Sequence, residues 1–382
     1  MIDHFQFQLA TRIVWGPAEK TVTEEAAHLG AGRVLLVTDP GLLESGLADV
    51  LRGGLERSGV AVTVFAGVAG NPTTGDVAAA TASAIEAGSE AIVALGGGSP
   101  IDVAKAAAML LANGGAYPEY QWEGKPVTRR SHPLVAVPTT AGTGSEVTRV
   151  AVISDPDRHL KKGVLSPLMF PHIAVLDPAL TIGLPARLTA ATGMDAVSHS
   201  MEAFTGKRPG PLSDLLAIES LRLALAHLVP ATRDGENLVA RSGMMLAALY
   251  GGIAMDQAGL GLVHALSGGL CGRLHLHHGM TNAAIMPAVL EFNLPAIEPA
   301  RRRRLAEVFG LAPDGADEEL VARLTGLVEA VGLPVGFADR REEFAHADWE
   351  AIAEDSMQMA MITNNPRLVT AGDCSTLLDA MR

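Results

Sequence analysis

The chain has 382 residues, of which 48% are hydrophobic and 19% charged, and its formal net charge is −13. That length exceeds what one hydrophobic core ordinarily serves, so two domains are expected, and the apolar content excludes a disordered chain. The acidic balance argues against a nucleic-acid or membrane-surface partner.

Two cysteines, Cys271 and Cys374, offer no disulfide framework and point to a reducing, cytoplasmic setting. The N-terminal residues Met1 to Phe7 carry neither a basic segment nor an apolar run, so no signal peptide is expected. The most apolar stretch, Met244 to Met255, is too short to span a bilayer and is followed by Asp256 and Gln257.

In chain order, Phe5 to Trp15 alternates apolar and polar residues before Gly16-Pro17, which predicts an edge hairpin and then a helix over 18–29. Strands are expected at 34–38, 60–65, 91–95 and 134–137, with helices over 42–58 and 75–87 between them. Strands alternating with helices imply a parallel sheet covered on both faces. From Leu184 the strand signal ends. Ala/Leu-rich helical segments follow, broken near Pro209-Gly210-Pro211, Asp234-Gly235, Gly259, Pro295, Pro313 and Pro334. The expectation is an α/β dinucleotide-binding domain over 1–180 and an all-helical domain over 181–382. The basic run Arg301 to Arg304, beside Leu305 and Val308, reads as a solvated helix face.

The helical half carries the chemistry. Asp195 and His199 are four residues apart and so share one helix face. His264 and His278 follow in strongly apolar surroundings, where an unpaired carboxylate would be costly. One carboxylate and three imidazoles suit a divalent ion, Fe²⁺ or Zn²⁺, with room for a substrate oxygen. A lone helical His is more often a hydrogen-bonded core residue, and an Asp near a helix start is usually a cap. The shared surroundings of the four favour the metal.

Three loops at strand ends suit a dinucleotide. Gly96-Gly97-Gly98 lets backbone N–H groups approach a phosphate, with Ser99 and Pro100 opening the following helix. Thr139, Thr140, Thr143 and Ser145 offer hydroxyls after the strand at 134–137. Asp39 places a carboxylate where a ribose could bond to it and a 2′-phosphate would be repelled, favouring NAD; it reads equally as a turn residue before Pro40-Gly41. The ordinary dinucleotide fingerprint puts its acid about twenty residues after the glycines. Asp39 precedes them, so an unmodified Rossmann domain is the wrong label.

Together these segments resemble the iron-containing (group III) alcohol dehydrogenase family. The resemblance rests on Gly96 to Lys105, on PTTAGTGSEVT from Pro138 to Thr148, on Gly193 to His199, on the His264–His278 spacing and on the tail Thr363 to Arg367. It implies a dehydroquinate synthase-like architecture with the active site in a cleft between the two domains. It also implies reversible oxidation of an alcohol to an aldehyde or ketone with NAD(P), and usually a homodimer or larger assembly. Asp195, His199, His264 and His278 carry over as metal ligands. Asp39, Asn71, Gly97, Gly98, Ser99, Thr139, Thr140, Thr143 and Lys161 carry over as cofactor contacts. The chain departs from the family at Gly268, where many members have His, at His277 in place of Pro, and at Met255 in place of an aromatic. His277 or His275 could relay the proton, and both read equally as linker residues. Rival readings are a maleylacetate-type reductase, a dehydroquinate synthase-type lyase and a nucleotide-binding protein with a decayed site. The intact ligand set counts against the first, and the lack of basic residues near it counts against the second.

Overall fold

The computed structural model describes residues 5–158, 160–312, 317–340 and 342–382. The N-terminal residues 1–4 and the break expected at Pro313 lie outside them. The chain divides into two compact units, one of residues 8–140 and 145–181, the other chiefly of 182–382 with the 141–144 segment.

In the first unit the strands are β1 (Arg12–Trp15), β2 (Arg33–Val37), β3 (Ala61–Phe65), β4 (Ala91–Gly96), β5 (Leu134–Pro138), β6 (Val150–Asp155), β7 (Leu160–Leu165) and β8 (Ile173–Leu176). The helices are α1 (Ala18–His28), α2 (Pro40–Glu44), α3 (Leu47–Arg57), α4 (Thr74–Glu86), α5 (Gly98–Asn113) and α6 (Tyr117–Gln121). Six strands form one parallel sheet in the order β1-β8-β5-β4-β2-β3. Its central strands β4, β5 and β8 are buried along their whole length, as a sheet covered on both faces requires.

The chain runs outward from β2 to β3, then returns to place β4 on the other side of β2. That reversal is a topological switch point, and the loops after β2 and β4 flank its crevice. Asp39 and Gly97 are therefore at neighbouring strand ends although the acid comes first in the sequence.

Two sequence expectations are corrected, and one further element is new. Phe5 to Trp15 is not a hairpin: only Arg12–Trp15 is a strand, and it pairs in parallel with β8, some 160 residues away in sequence. The helix expected over 42–58 is two helices, parted at Gly46, whose φ of 79° is the left-handed region that glycine enters without strain. An unforeseen antiparallel pair, β6–β7, forms a separate two-stranded sheet.

A buried cation ties this unit's loops together. Lys105, fully buried on α5, donates to the carbonyls of Ser145 (2.9 Å) and Val150 and to Thr148 Oγ1, and pairs with Asp102 at 3.0 Å. Asp102 in turn accepts from Ser145 Oγ and from the Val152 N–H. Close by, burial pushes the Glu146 carboxyl up to about 7, against the lowering pull of its own backbone N–H and of Lys105. A carboxyl raised on folding costs stability as pH climbs from its unfolded value of about 4.5 through 7. Glu146→Gln removes that cost. In denaturant titrations the variant is expected to match the parent at pH 4 and to exceed it by roughly 1–3 kcal/mol at pH 8.

The second unit holds α7 (Ala186–Thr205), α8 (Pro211–Arg233), α9 (Leu238–Ala258), α10 (Leu262–Leu274), α11 (His278–Asn293), α12 (Pro299–Val308), α13 (Asp317–Ala330), α14 (Trp349–Met357) and α15 (Ala371–Met381). No strand occurs in it among the described residues. α9 is long and apolar enough to cross a membrane, yet 67% of that stretch is buried inside the protein. The basic run on α12 is only partly a solvated face. Arg301 turns inward, forks onto Asp214 at 2.6 and 2.7 Å, and stacks over Phe204 at 4.3 Å.

Candidate metal centre

α7 is buried along nearly its whole length after Thr189, and Asp195 and His199 lie one turn apart on it. His264 comes from the first turn of α10 and His278 opens α11. The three imidazole Nε2 atoms lie 3.4 Å (His199), 3.7 Å (His264) and 3.6 Å (His278) from one oxygen, Asp195 Oδ1. Asp195, His199 and His264 are buried, whereas the His278 side chain is 42% exposed, which leaves one open side. The His199 and His264 rings stack at 4.9 Å.

The Asn282 amide lies in the middle of this set. Its Nδ2 is 2.8 Å from Asp195 Oδ1, 3.3 Å from His264 Nε2 and 3.2 Å from His278 Nε2. Two N–H bonds face three acceptors, and the amide's own Oδ1 is buried with no hydrogen-bond partner among the described residues. Lone pairs crowded this way around one point fit a divalent cation, with nitrogen and oxygen donors of the kind Fe²⁺ and Zn²⁺ accept.

The electrostatics of Asp195 and His199 agree. Burial by itself would raise the Asp195 carboxyl, but His199, His264 and His278 together hold it far below the usual carboxylate range. Burial lowers His199 to about 4, so its imidazole is neutral and able to donate a lone pair. His264 is drawn the other way. Burial opposes its charge, yet the Glu202 and Asp195 carboxylates raise it to about 9.

Glu202 went unnoticed in the sequence. It lies seven residues after Asp195 and three after His199, on the same face of α7. Its Oε2 accepts from His264 Nδ1 at 2.6 Å and its Oε1 from the Val263 N–H at 2.6 Å. The first bond fixes the His264 tautomer and turns its Nε2 toward Asp195. Ser267 Oγ lies 3.0 Å from His278 Nδ1 and holds that ring from the α10 side. The i, i+4, i+7 acid–imidazole–acid pattern was the signal available.

The expected relay residues lie on the α10–α11 connection. His275 is exposed at a left-handed φ of 52°, and His277 is the exposed residue immediately before α11, its carbonyl accepting from Thr281.

In the other unit the expected cofactor residues gather at the sheet's carboxyl edge. Gly97 caps α5 with no side chain over the helix start, and Gly98 is the first helical residue. That leaves an uncovered helix N-terminus of the kind that binds phosphate. Ser99 Oγ donates to the Gly70 carbonyl at 2.9 Å, drawing the next loop alongside. Asn71 Oδ1 accepts from Lys161 Nζ at 3.2 Å and from Ser154 Oγ at 3.3 Å, so the β6–β7 hairpin is what delivers Lys161. Asp39 caps α2 through the Leu42 N–H at 3.0 Å, which leaves its second oxygen for other work. Thr139 follows β5 and bonds back to Gly96, and Thr140 lies against Gly97. Thr143 belongs to the 141–144 segment, which groups with the helical unit.

Residues 10–178 match the iron-containing alcohol dehydrogenase family model, and residues 189–381 match the model of the C-terminal domain of the Fe-containing family. The chain belongs to the iron-containing alcohol dehydrogenase family. Among its relatives are a 4-hydroxybutyrate dehydrogenase of Cupriavidus necator, 39% identical over 95% of both chains. An NAD-dependent methanol dehydrogenase of Bacillus methanolicus is 36% identical over 94% of this chain and 95% of that one. The solved structure of a 1,3-propanediol oxidoreductase superposes with a TM-score of 0.93 at 34% identity, covering 99% of this chain and all of that one. Metal-dependent oxidoreduction of an alcohol with NAD is the activity that membership carries.

Proposed function

We propose that the chain interconverts a primary alcohol and its aldehyde with NAD(H), using Asp195, His199, His264 and His278 to hold Fe²⁺ or Zn²⁺. The observation that supports this most is the approach of three Nε2 atoms to a single buried carboxylate oxygen. An ion bound there supplies Lewis acidity, which lowers the pKa of an alcohol hydroxyl. Glu202 and Ser267 keep His264 and His278 turned inward, and the exposed side of His278 is where solvent and substrate reach the set. His277 or His275 passes the hydroxyl proton to solvent from the α10–α11 connection. Gly97, Gly98, Ser99, Thr139, Thr140 and Thr143 receive the pyrophosphate and nicotinamide portion, and Asn71 and Lys161 hold the cofactor from the hairpin side.

The named relatives act on methanol, 4-hydroxybutyrate and 1,3-propanediol, all primary alcohols. Gly268 removes a polar side chain from the turn after His264, and the Met359 thioether lies beside it. That apolar exchange favours a primary alcohol beyond the smallest. NADH formation across straight-chain alcohols with the iron-loaded enzyme tests the reading; no turnover with any primary alcohol or aldehyde would reject it.

Asp39 gives a second outcome. Asp39→Asn keeps the α2 cap and removes the charge, so kcat/KM for NADP relative to NAD is expected to rise at least about tenfold in initial-rate assays.

A cytoplasmic homo-oligomer is part of the same proposal. The chain has only two cysteines, Cys271 and Cys374, and the outer edge of β1 is unpaired among the described residues, with Ile13 and Trp15 exposed.

A further inference from the structure

α10 begins without a cap of its own. Its N-cap residue is Gly261, so the first N–H groups of the helix must find partners elsewhere. Two distant side chains supply them. Glu202 Oε1 accepts from Val263, as described above, and Asn365 Oδ1 accepts from the Leu262 N–H at 3.3 Å. A Cβ at position 261 would lie 3.1 Å from Glu202 Oε1 and 3.2 Å from Asn365 Oδ1. The two acceptors thus occupy the space that a local cap would have used.

The neighbouring asparagine closes the helix before. Asn364 Nδ2 donates to the carbonyls of Ala258 and Leu260, each at 3.0 Å, and so ties down the end of α9 and the connector that follows it. Asn365 is itself held by a reciprocal amide pair with Asn293 at 2.7 and 2.9 Å, and it donates to the Arg367 carbonyl at 2.9 Å. Asn364 and Asn365 are 4% and 1% exposed. Two side-chain amides of this tail segment therefore hold the connector and the start of α10, on whose first turn His264 stands.

We propose that Asn364 and Asn365 are positioning residues of the metal centre. Asn365 caps the first turn of α10 from the C-terminal tail and Asn364 fixes the connector before it, and together they set the direction in which His264, the third residue of that helix, presents its Nε2. Glu202 grips the same turn from α7, which makes the two grips one device. The inference rests on the reading of His264 as a metal ligand.

The test measures Zn²⁺ affinity of the metal-stripped protein by chelator competition, the visible spectrum of the Co²⁺ form, and the unfolding midpoint of the apo protein. The variants are Asn365→Ala, Glu202→Gln, the two combined, Asn293→Ala and His264→Ala. Asn365→Ala is expected to weaken Zn²⁺ binding about 10- to 100-fold and to alter the Co²⁺ spectrum. Asn293→Ala, which leaves Asn365 in place but removes its brace, does so to a smaller extent and keeps the test open if Asn365→Ala fails to fold. The combined variant loses less than the product of the single losses, because both act through one turn. Unchanged affinity and spectrum with only a lower apo midpoint would overturn the inference, as would strictly multiplicative losses. Should His264→Ala bind Zn²⁺ as the parent does, the ligand reading falls and the inference with it. Normal binding in Asn365→Ala and Asn293→Ala alone defeats the inference and leaves the ligand reading standing.

Discussion

His264→Ala is expected to lower alcohol-dependent NADH formation on the order of a thousandfold or more while leaving NADH binding, read by fluorescence titration, unchanged. The two readouts separate because the residues proposed for the cofactor belong mainly to the sheet unit, whereas His264 belongs to the helical one. Deleting the imidazole removes one of the ring nitrogens gathered around Asp195 Oδ1 and strips Glu202 Oε2 of the N–H it accepts at 2.6 Å. A buried carboxylate left without its partner is costly, so the surrounding turn is expected to rearrange as well. A metal-stripped His264→Ala protein that still turned over alcohol would contradict the mechanism.

Gly279→Ala should be nearly as damaging, for a steric reason. Gly279 is the residue after His278 at the start of α11, and a Cβ there would overlap the Ala191 carbonyl oxygen and come within 2.8 Å of its carbon. Those atoms are α7 backbone, which cannot rotate away as a side-chain end can. α11 must therefore retreat from α7, taking His278 away from Asp195. Overpacking of this kind costs roughly 1–3 kcal/mol or more, and a displacement of about 1 Å at a reacting centre can cost about a hundredfold in rate. Denaturant titration and metal affinity should fall together in this variant. Gly272→Ala on α10 supplies the comparison, since a Cβ there meets nothing within 4 Å, and it should be neutral or slightly stabilising.

The convergence of Asp195, His199, His264 and His278 was legible because its signals are local or chemically loud. Asp195 and His199 declare a shared helix face through their spacing, and His264 and His278 are imidazoles in apolar segments. The glycine loop after β4 was legible for the same reason. Glu202 was not, because an acid on a helix is ordinarily a surface residue and only its distance from His199 marks it as inward. The α10 caps were out of reach altogether, since Asn365 is 103 residues from Leu262 in sequence. Long-range pairing also explains the errors in the sheet unit. The β1 segment alternates as an edge strand should, but its partner is β8 and not a neighbouring hairpin arm. The break at Gly46 hides within a sequence whose apolar spacing runs on through it. Asp39 seemed out of order only because chain order was read as spatial order; with β2 beside β4, the acid and the glycines meet at one crevice.

One divalent ion held jointly by Asp195, His199, His264 and His278 is the centre of the proposed enzyme. Elemental analysis of anaerobically purified protein tests this most directly, comparing the parent with Asp195→Asn and each His→Ala variant. One iron or zinc per chain in the parent, lost from each folded variant, is the predicted result. Metal retained at full stoichiometry in all four variants, or absent from a parent that turns over alcohol, would contradict it.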